Sequence, residues 1–164
     1  MTADTRGARR EVGDAEVDAV LQACRSLVAI AAWSVDAVAD KVDVVQLRIL
    51  VLVATRESTS LKAVVEVTRL HPSRASRTCD RLVGKGFMTR TADPEDRRSV
   101  QLKLTAAGER IVRRVRRARR AAITPVLAGM SERSRADLLR VLDEFAAASG
   151  GSSNADLSTL AWTE

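Results

Sequence analysis

The stretch LHPSRASRTCDRLVGKGFMTRTADPEDRRSVQLKL, residues 70 to 104, decides the fold. Proline is tolerated in the first turn of a helix, where its missing N–H has no intrahelical partner, so a helix is predicted from about Pro72 to Lys85. Ala75, Cys79, Leu82 and Val83 recur at helical spacing and form its inward face, leaving Ser73, Arg74, Ser76, Arg77 and Arg81 on the others. Gly84 and Gly86 stop it. Phe87, Met88 and Thr89 then begin a strand, residues 92–98 turn around Asp93-Pro94, and Ser99 to Leu104 alternate polar with apolar through Val100, Leu102 and Leu104. The expectation is an arginine-bearing helix followed at once by a hairpin tipped by Arg97 and Arg98, the layout of a winged helix-turn-helix.

Outward from this unit, a turn at Arg69 to His71 leads back to a short helix marked by Leu61, Val64, Val67 and Leu70, and Ser58, Thr59 and Ser60 form the break before it. Asp43 and Gln46 have capping-box spacing and open a helix to about Thr55, whose run Leu47, Ile49, Leu50, Val51, Leu52, Val53 should make it the most buried. Residues 14–40 carry Val17, Val20, Leu21, Cys24, Leu27, Val28, Ala31 and Val35 at helical spacing, which predicts one long amphipathic helix. Its apolar face is too wide for one helical layer to cover, so a partner subunit is expected. Thr105 caps a helix that carries Ile111, Val112 and Val115 and breaks at Gly129, and Ser131 caps a last one ending near Gly150. Residues 1–13 and 150–164 read as a flexible arm and tail around a single domain over 14–149.

Composition narrows the function classes. The chain has 164 residues, 46% of them hydrophobic, enough for one domain with a real core, and its net charge of +6 suits a polyanionic partner. Cys24 and Cys79 give no disulfide framework, and the first residues lack the apolar core of a secretory signal, so a cytoplasmic protein is expected. Asp36, Asp40, Lys41, Asp43 and Arg48 interrupt or bound the apolar stretches, so none reaches the ~20 uncharged residues of a membrane span. His71 is the single histidine, which argues against a metal site. No Gly-rich phosphate loop, nucleophile elbow or acid/base pair stands out, so neither an enzyme nor a cofactor is expected.

Duplex DNA offers a major groove wide enough for a helix and a narrow minor groove whose potential attracts arginine. Ser73, Arg74, Ser76 and Arg77 occupy the first half of the predicted helix, where arginine can donate two parallel hydrogen bonds to guanine and serine can bond a phosphate or base edge. Arg81, a turn further on, is better placed for backbone phosphate. In the wing, a carboxylate at Asp96 can hold a guanidinium in a bidentate pair and present it rigidly to the minor groove. The plain alternative is a solvated helical face and a hairpin with incidental ion pairs.

These residues resemble those of the MarR family of bacterial transcription regulators, over roughly Asp43 to Val112. DPEDRRSVQLKLTAAGE, from Asp93 to Glu109, follows that family's wing pattern, and Ser73 to Arg77 with Asp80-Arg81-Leu82 resembles its recognition helix. The resemblance implies a mainly α fold with a β wing, a winged helix-turn-helix over 43–105, and dimerisation helices over 14–40 and 106–149. It implies Asp96 and Arg98 as the wing's acid and minor-groove arginine, Arg97 beside the phosphates, and a homodimeric regulator, a repressor, on a pseudo-palindromic operator. Arg69 stands where the family commonly has glycine, which leaves the left-handed turn expected there absent or strained. Arg110, Arg113, Arg114, Arg116, Arg117, Arg119 and Arg120 form a heavy basic run, read mostly as a solvated face.

Family members respond to small ligands or to cysteine oxidation. Here tyrosine is absent and aromatics are 2%, so an effector pocket would be aliphatic with Trp33 as its flat wall, a residue otherwise assigned to the core. Cys24, on the apolar face of the first helix, is the better redox candidate. The competing functional reading is a dimeric ligand- or redox-sensing, or protein-interaction, module on the same fold with weak or non-specific DNA binding.

Overall fold

Six helices and three short strands follow one another among residues 12–56, 58–92 and 100–149, the residues that the computed structural model describes. They are α1 (Asp14–Asp36), α2 (Val44–Ala54), β1 (Thr59–Ser60), α3 (Leu61–Thr68), α4 (Pro72–Gly84), β2 (Met88–Ala92), β3 (Val100–Leu104), α5 (Ala106–Ala128) and α6 (Glu132–Ala148). The α1 helix is shorter than its apolar spacing suggests. Three-residue backbone bonds, Val38 N–H to the Val35 carbonyl at 3.0 Å and Lys41 N–H to the Val38 carbonyl at 2.9 Å, replace the helical ladder. The chain turns there because Val38 and Val42 must enter the core, where both are buried.

Helix α2 is the centre of that core. The capping box is present as the spacing predicts: Asp43 Oδ1 accepts from the Gln46 N–H at 2.8 Å, and Gln46 Oε1 accepts from the Asp43 N–H at 3.3 Å. Leu47, Ile49, Leu50 and Leu52 are fully enclosed, in one cluster with Val64 of α3, Ala75, Cys79 and Leu82 of α4, the strand residues Met88 and Leu102, and Val112 and Val115 of α5. The winged unit thus hangs on one apolar rod.

Residues 58–60, read as a break, include the two-residue strand β1, which pairs antiparallel with β3 through Thr59–Leu102 and Ser60–Gln101. Two residues are too few to show an alternating pattern, and Ser60 also serves as the cap of α3, accepting from the Ala63 N–H at 3.1 Å. The sheet order is β1-β3-β2, with Met88 opposite Leu104 at the root of the hairpin and Ala92 opposite Val100 toward the tip.

The hairpin root is bolted to α5. Thr105 Oγ1 donates to the Gly86 carbonyl at 2.7 Å and accepts from the Gly108 N–H at 3.1 Å. Gly108 is buried so closely that a Cβ there would lie 2.0 Å from the Phe87 carbonyl oxygen. Gly108→Ala is therefore expected to cost about 1–3 kcal/mol through forced displacement of backbone, read as a lowered urea midpoint. A wild-type midpoint would show that the contact relaxes freely.

The outer helices bury little within one chain. Val17, Val20, Leu21, Leu27 and Val28 of α1 and Leu139, Val141, Leu142 and Phe145 of α6 are exposed, and none of Glu132–Ala148 is buried. Trp33, assigned to the core from its place on α1, is instead 68% exposed. Helical spacing identifies an apolar face but not what covers it. The basic run on α5 is also less uniform than expected: Arg116 and Arg119 are half-buried, and Arg119 Nη2 donates to Ser34 Oγ at 3.2 Å, tying α5 to α1. No helix among the described residues is long and apolar enough to cross a membrane.

Candidate nucleic-acid interface

The turn between α3 and α4 carries the backbone conformation that its sequence disfavours. Arg69 takes the left-handed region at φ 54°, ψ 25°, and its N–H caps α3 by donating to the Val65 carbonyl at 2.9 Å. The glycine-type turn is therefore kept without glycine, and its side chain is exposed. The following α4 is anchored by buried Ala75, Thr78, Cys79 and Leu82, with Val83 half-buried. Thr78 joins the inward face although the apolar pattern omits it, because its hydroxyl donates back to the Arg74 carbonyl at 2.8 Å and needs no outside partner.

Burial of that side leaves Ser73, Arg74, Arg77 and Arg81 exposed, with Ser76 half-buried. The five residues expected to meet DNA thus share one helix, four of them on its open surface. Arg77 is braced along the helix: its Nε donates to the Ser73 carbonyl at 3.1 Å, and no protein bond to its terminal nitrogens is found among the described residues. His71 stands at the N-cap position without capping the backbone, and its Nδ1 lies 2.9 Å from Ser73 Oγ. Asp96, Arg97 and Arg98 fall within residues 93–99, outside the described residues.

Two tethers were not legible in the motif. Arg90 of β2 reaches across to α4, its Nη1 meeting Asp80 Oδ1 at 2.5 Å, so the wing strand and the arginine helix are joined directly. A carboxylate amid the arginines of a basic helix is the signal that could have raised this pair. At the other end, Lys85 Nζ donates to the Lys41 carbonyl at 2.7 Å and to Gln46 Oε1 at 3.0 Å, fixing the C-terminus of α4 to the segment before α2. Both partners are remote in sequence.

The candidate sensing residues lie elsewhere. Burial, with the Asp80 carboxylate adding to it, pushes the Cys79 thiol up to about 11, so the reactive thiolate is scarce at neutral pH. Cys24 is half-buried on α1. A cleft of about 480 Å³ lies between the end of α2, β3 and α5, with Val53, Leu104 and Val112 beside Arg56, Glu109 and Arg116. Neither Cys24 nor Trp33 lines it, so Trp33 is not the flat wall of this cleft. Among the described residues no cluster of His, Cys, Asp or Glu has metal-holding geometry.

Comparison with known proteins places these features. Residues 43–100 match the sequence model of the MarR family. The crystal structure of RV1404 from Mycobacterium tuberculosis is 34% identical, with a TM-score of 0.77 over 86% of this chain and 97% of that one. Streptococcus pneumoniae FabT, solved in complex with DNA, shares the fold at 18% identity and a TM-score of 0.64, covering 81% of this chain and 94% of its own. Wild-type MarR from E. coli does so at 17% identity and 0.61, covering 83% and 98%. A comparison with curated protein sequences gives no match.

Proposed function

The chain belongs to the MarR family, and from that premise we propose that it is a transcription regulator that binds double-stranded DNA as a homodimer and represses from a pseudo-palindromic operator. The observation that carries this reading is α4 itself, a helix whose Ala75, Cys79 and Leu82 side is fully buried while Arg74, Arg77 and Arg81 stand exposed on the other. Such a helix meets the major groove with its base-reading side chains already oriented. FabT, of the same fold, is solved on DNA. The exposed apolar faces of α1 and α6 support pairing of two chains, which would set two α4 helices about one DNA turn apart.

In this reading Arg74 and Arg77 contact bases, Ser73 and Ser76 contact bases or phosphates, and Arg81 contacts phosphate. Arg97 and Arg98 extend the grip along the wing, with Asp96 orienting Arg98 for the minor groove. Arg98→Ala is expected to weaken operator binding by about 1–3 kcal/mol while the melting temperature and dimer stay unchanged. An unaltered affinity removes the wing assignment. Cys24 stands as the candidate redox group, and intact mass after mild peroxide, with operator binding followed in parallel, tests it: an unmodified Cys24 ends that assignment.

Recovery of genomic fragments bound by the purified dimer tests the function as a whole. The expected result is a shared inverted-repeat sequence. Sequence-blind recovery would favour the competing sensor or interaction module.

A further inference from the structure

His71 is the chain's single histidine, and the contacts proposed for α4 give it no part. Pro72 follows it, and the residue before a proline is driven to extended backbone; His71 sits at φ −58°, ψ 139°. Its carbonyl accepts from the Arg74 N–H at 2.9 Å and the Ala75 N–H at 3.0 Å, so its backbone is fixed to the first turn of the helix. A serine, threonine or aspartate at this N-cap position would turn its side chain back onto the helix N–H groups, whereas the imidazole makes no such bond. The ring instead reaches forward to Ser73, with Nδ1 2.9 Å from Oγ, and both side chains are exposed. Ser73 is joined in turn to Arg77, whose Nε donates to its carbonyl at 3.1 Å. Imidazole, hydroxyl and guanidinium thus form one linked row on the exposed surface of α4.

The hydrogen bonds that this row offers a duplex depend on the proton of the ring. A neutral imidazole with its proton on Nε2 accepts the Ser73 O–H at Nδ1, and the hydroxyl hydrogen is spent inside the protein. The other neutral tautomer frees the hydroxyl but leaves Nε2 an acceptor and brings no charge. An imidazolium carries N–H on both nitrogens, so Nδ1 donates to Oγ and the hydroxyl becomes a free donor beside a cation. Phosphate oxygens and the N7 and O6 of guanine are all acceptors, so only donors serve them. The elements packed on α4 are α3, α2 and β2, with the charged groups Lys62 and Glu66, Arg48, and Arg90; the turn and α4 itself add Arg69, Arg74, Arg77, Asp80 and Arg81. Glu66 pairs with Lys62 at 3.9 Å and Asp80 with Arg90 at 2.5 Å. Among these elements both carboxylates are engaged with cations, and the anion left to meet a protonated ring is the duplex.

We propose that His71 is a proton-dependent positioning residue for DNA reading: on the operator its ring takes up a proton, holds Ser73 Oγ through Nδ1–H, and turns the Ser73 hydroxyl to a base or phosphate acceptor. The inference rests on the proposed DNA-binding function. Because a proton is taken up on binding, affinity rises as the pH falls, within the range of about pH 5–8 in which imidazoles change charge. A charged donor makes a hydrogen bond roughly twice as strong as a neutral one, so a gain of about fivefold or more is expected between about pH 7.5 and about pH 5.5. Carboxylates ordinarily titrate below that range and the Cys79 thiol above it, at about 11.

Fluorescence anisotropy of the recovered operator with the full chain, at constant ionic strength across that range, tests the inference, with the melting temperature followed at each pH. Wild type should gain the stated affinity on acidification. His71→Gln, an exposed change that keeps a polar side chain and should keep the melting temperature, should be flat with pH. Ser73→Ala should bind more weakly throughout and lose most of the slope, because the group that the ring directs is gone. A flat wild-type profile, or equal slopes in wild type and His71→Gln, would overturn the inference. A full slope retained in Ser73→Ala would make the ring a direct phosphate contact and overturn the positioning role equally. Operator selection without pH dependence removes this inference alone, whereas no selection between operator and scrambled duplex at any pH removes the DNA-binding reading and this inference with it.

Discussion

Leu50→Ala is expected to lower stability by about 2–5 kcal/mol. Leu50 is fully enclosed in the cluster that joins α2 to α3, α4, α5 and the strands. Removing its isobutyl group loses the burial of several methyl and methylene groups and leaves a cavity that the surrounding elements close only in part. For a domain whose net stability is about 5–15 kcal/mol, that is a major fraction. The midpoint of urea unfolding should fall with little change in slope, at a fixed chain concentration because the proposed pairing of two chains would add to apparent stability. A loss under about 1 kcal/mol would mean that α2 is not the common support of the winged unit. Because α4 rests on α2 through Ala75, Cys79 and Leu82, operator binding should fail at a lower temperature in the same variant.

The second large effect belongs to the reading surface. Arg74→Ala/Arg77→Ala is expected to cost about 2–6 kcal/mol of operator affinity, from two side chains that can each supply about 1–3 kcal/mol of base discrimination. The fold should be untouched, since both side chains are exposed and the Arg77 guanidinium reaches only back along its own helix, to the Ser73 carbonyl. Preference between operator and scrambled duplex should shrink together with affinity. A uniform loss on both duplexes would instead make the two arginines phosphate contacts.

Local chemistry made much of this architecture legible. Asp43 with Gln46, Thr105 and Ser131 each announce a helix start within a few residues, and the caps form as their spacing implies. The buried side of α4 was readable from its apolar spacing, which in turn assigned the arginines to the open side. What escaped depends on distance along the chain. The Arg90–Asp80 and Lys85–Lys41 tethers join residues 10 and 44 apart, and no periodicity encodes such pairs. Thr59 and Ser60 are too few for a strand pattern, and they gain their partner only when β3 arrives. Trp33 misled because an apolar face on a long helix marks burial against a second chain as readily as burial within one. Arg69 departs for another reason: its left-handed backbone is imposed by the capping of α3 and the start of α4, against the preference of its side chain.

In the proposed complex two chains present their α4 helices to one DNA site. The deciding measurement for that complex is equilibrium titration of the recovered operator and a scrambled duplex, repeated over a range of salt. Two chains per operator are expected, with a preference of about a thousandfold or more over the scrambled sequence and an affinity that falls steeply as salt rises. Equal affinity for the two duplexes, or one chain per site, would contradict it.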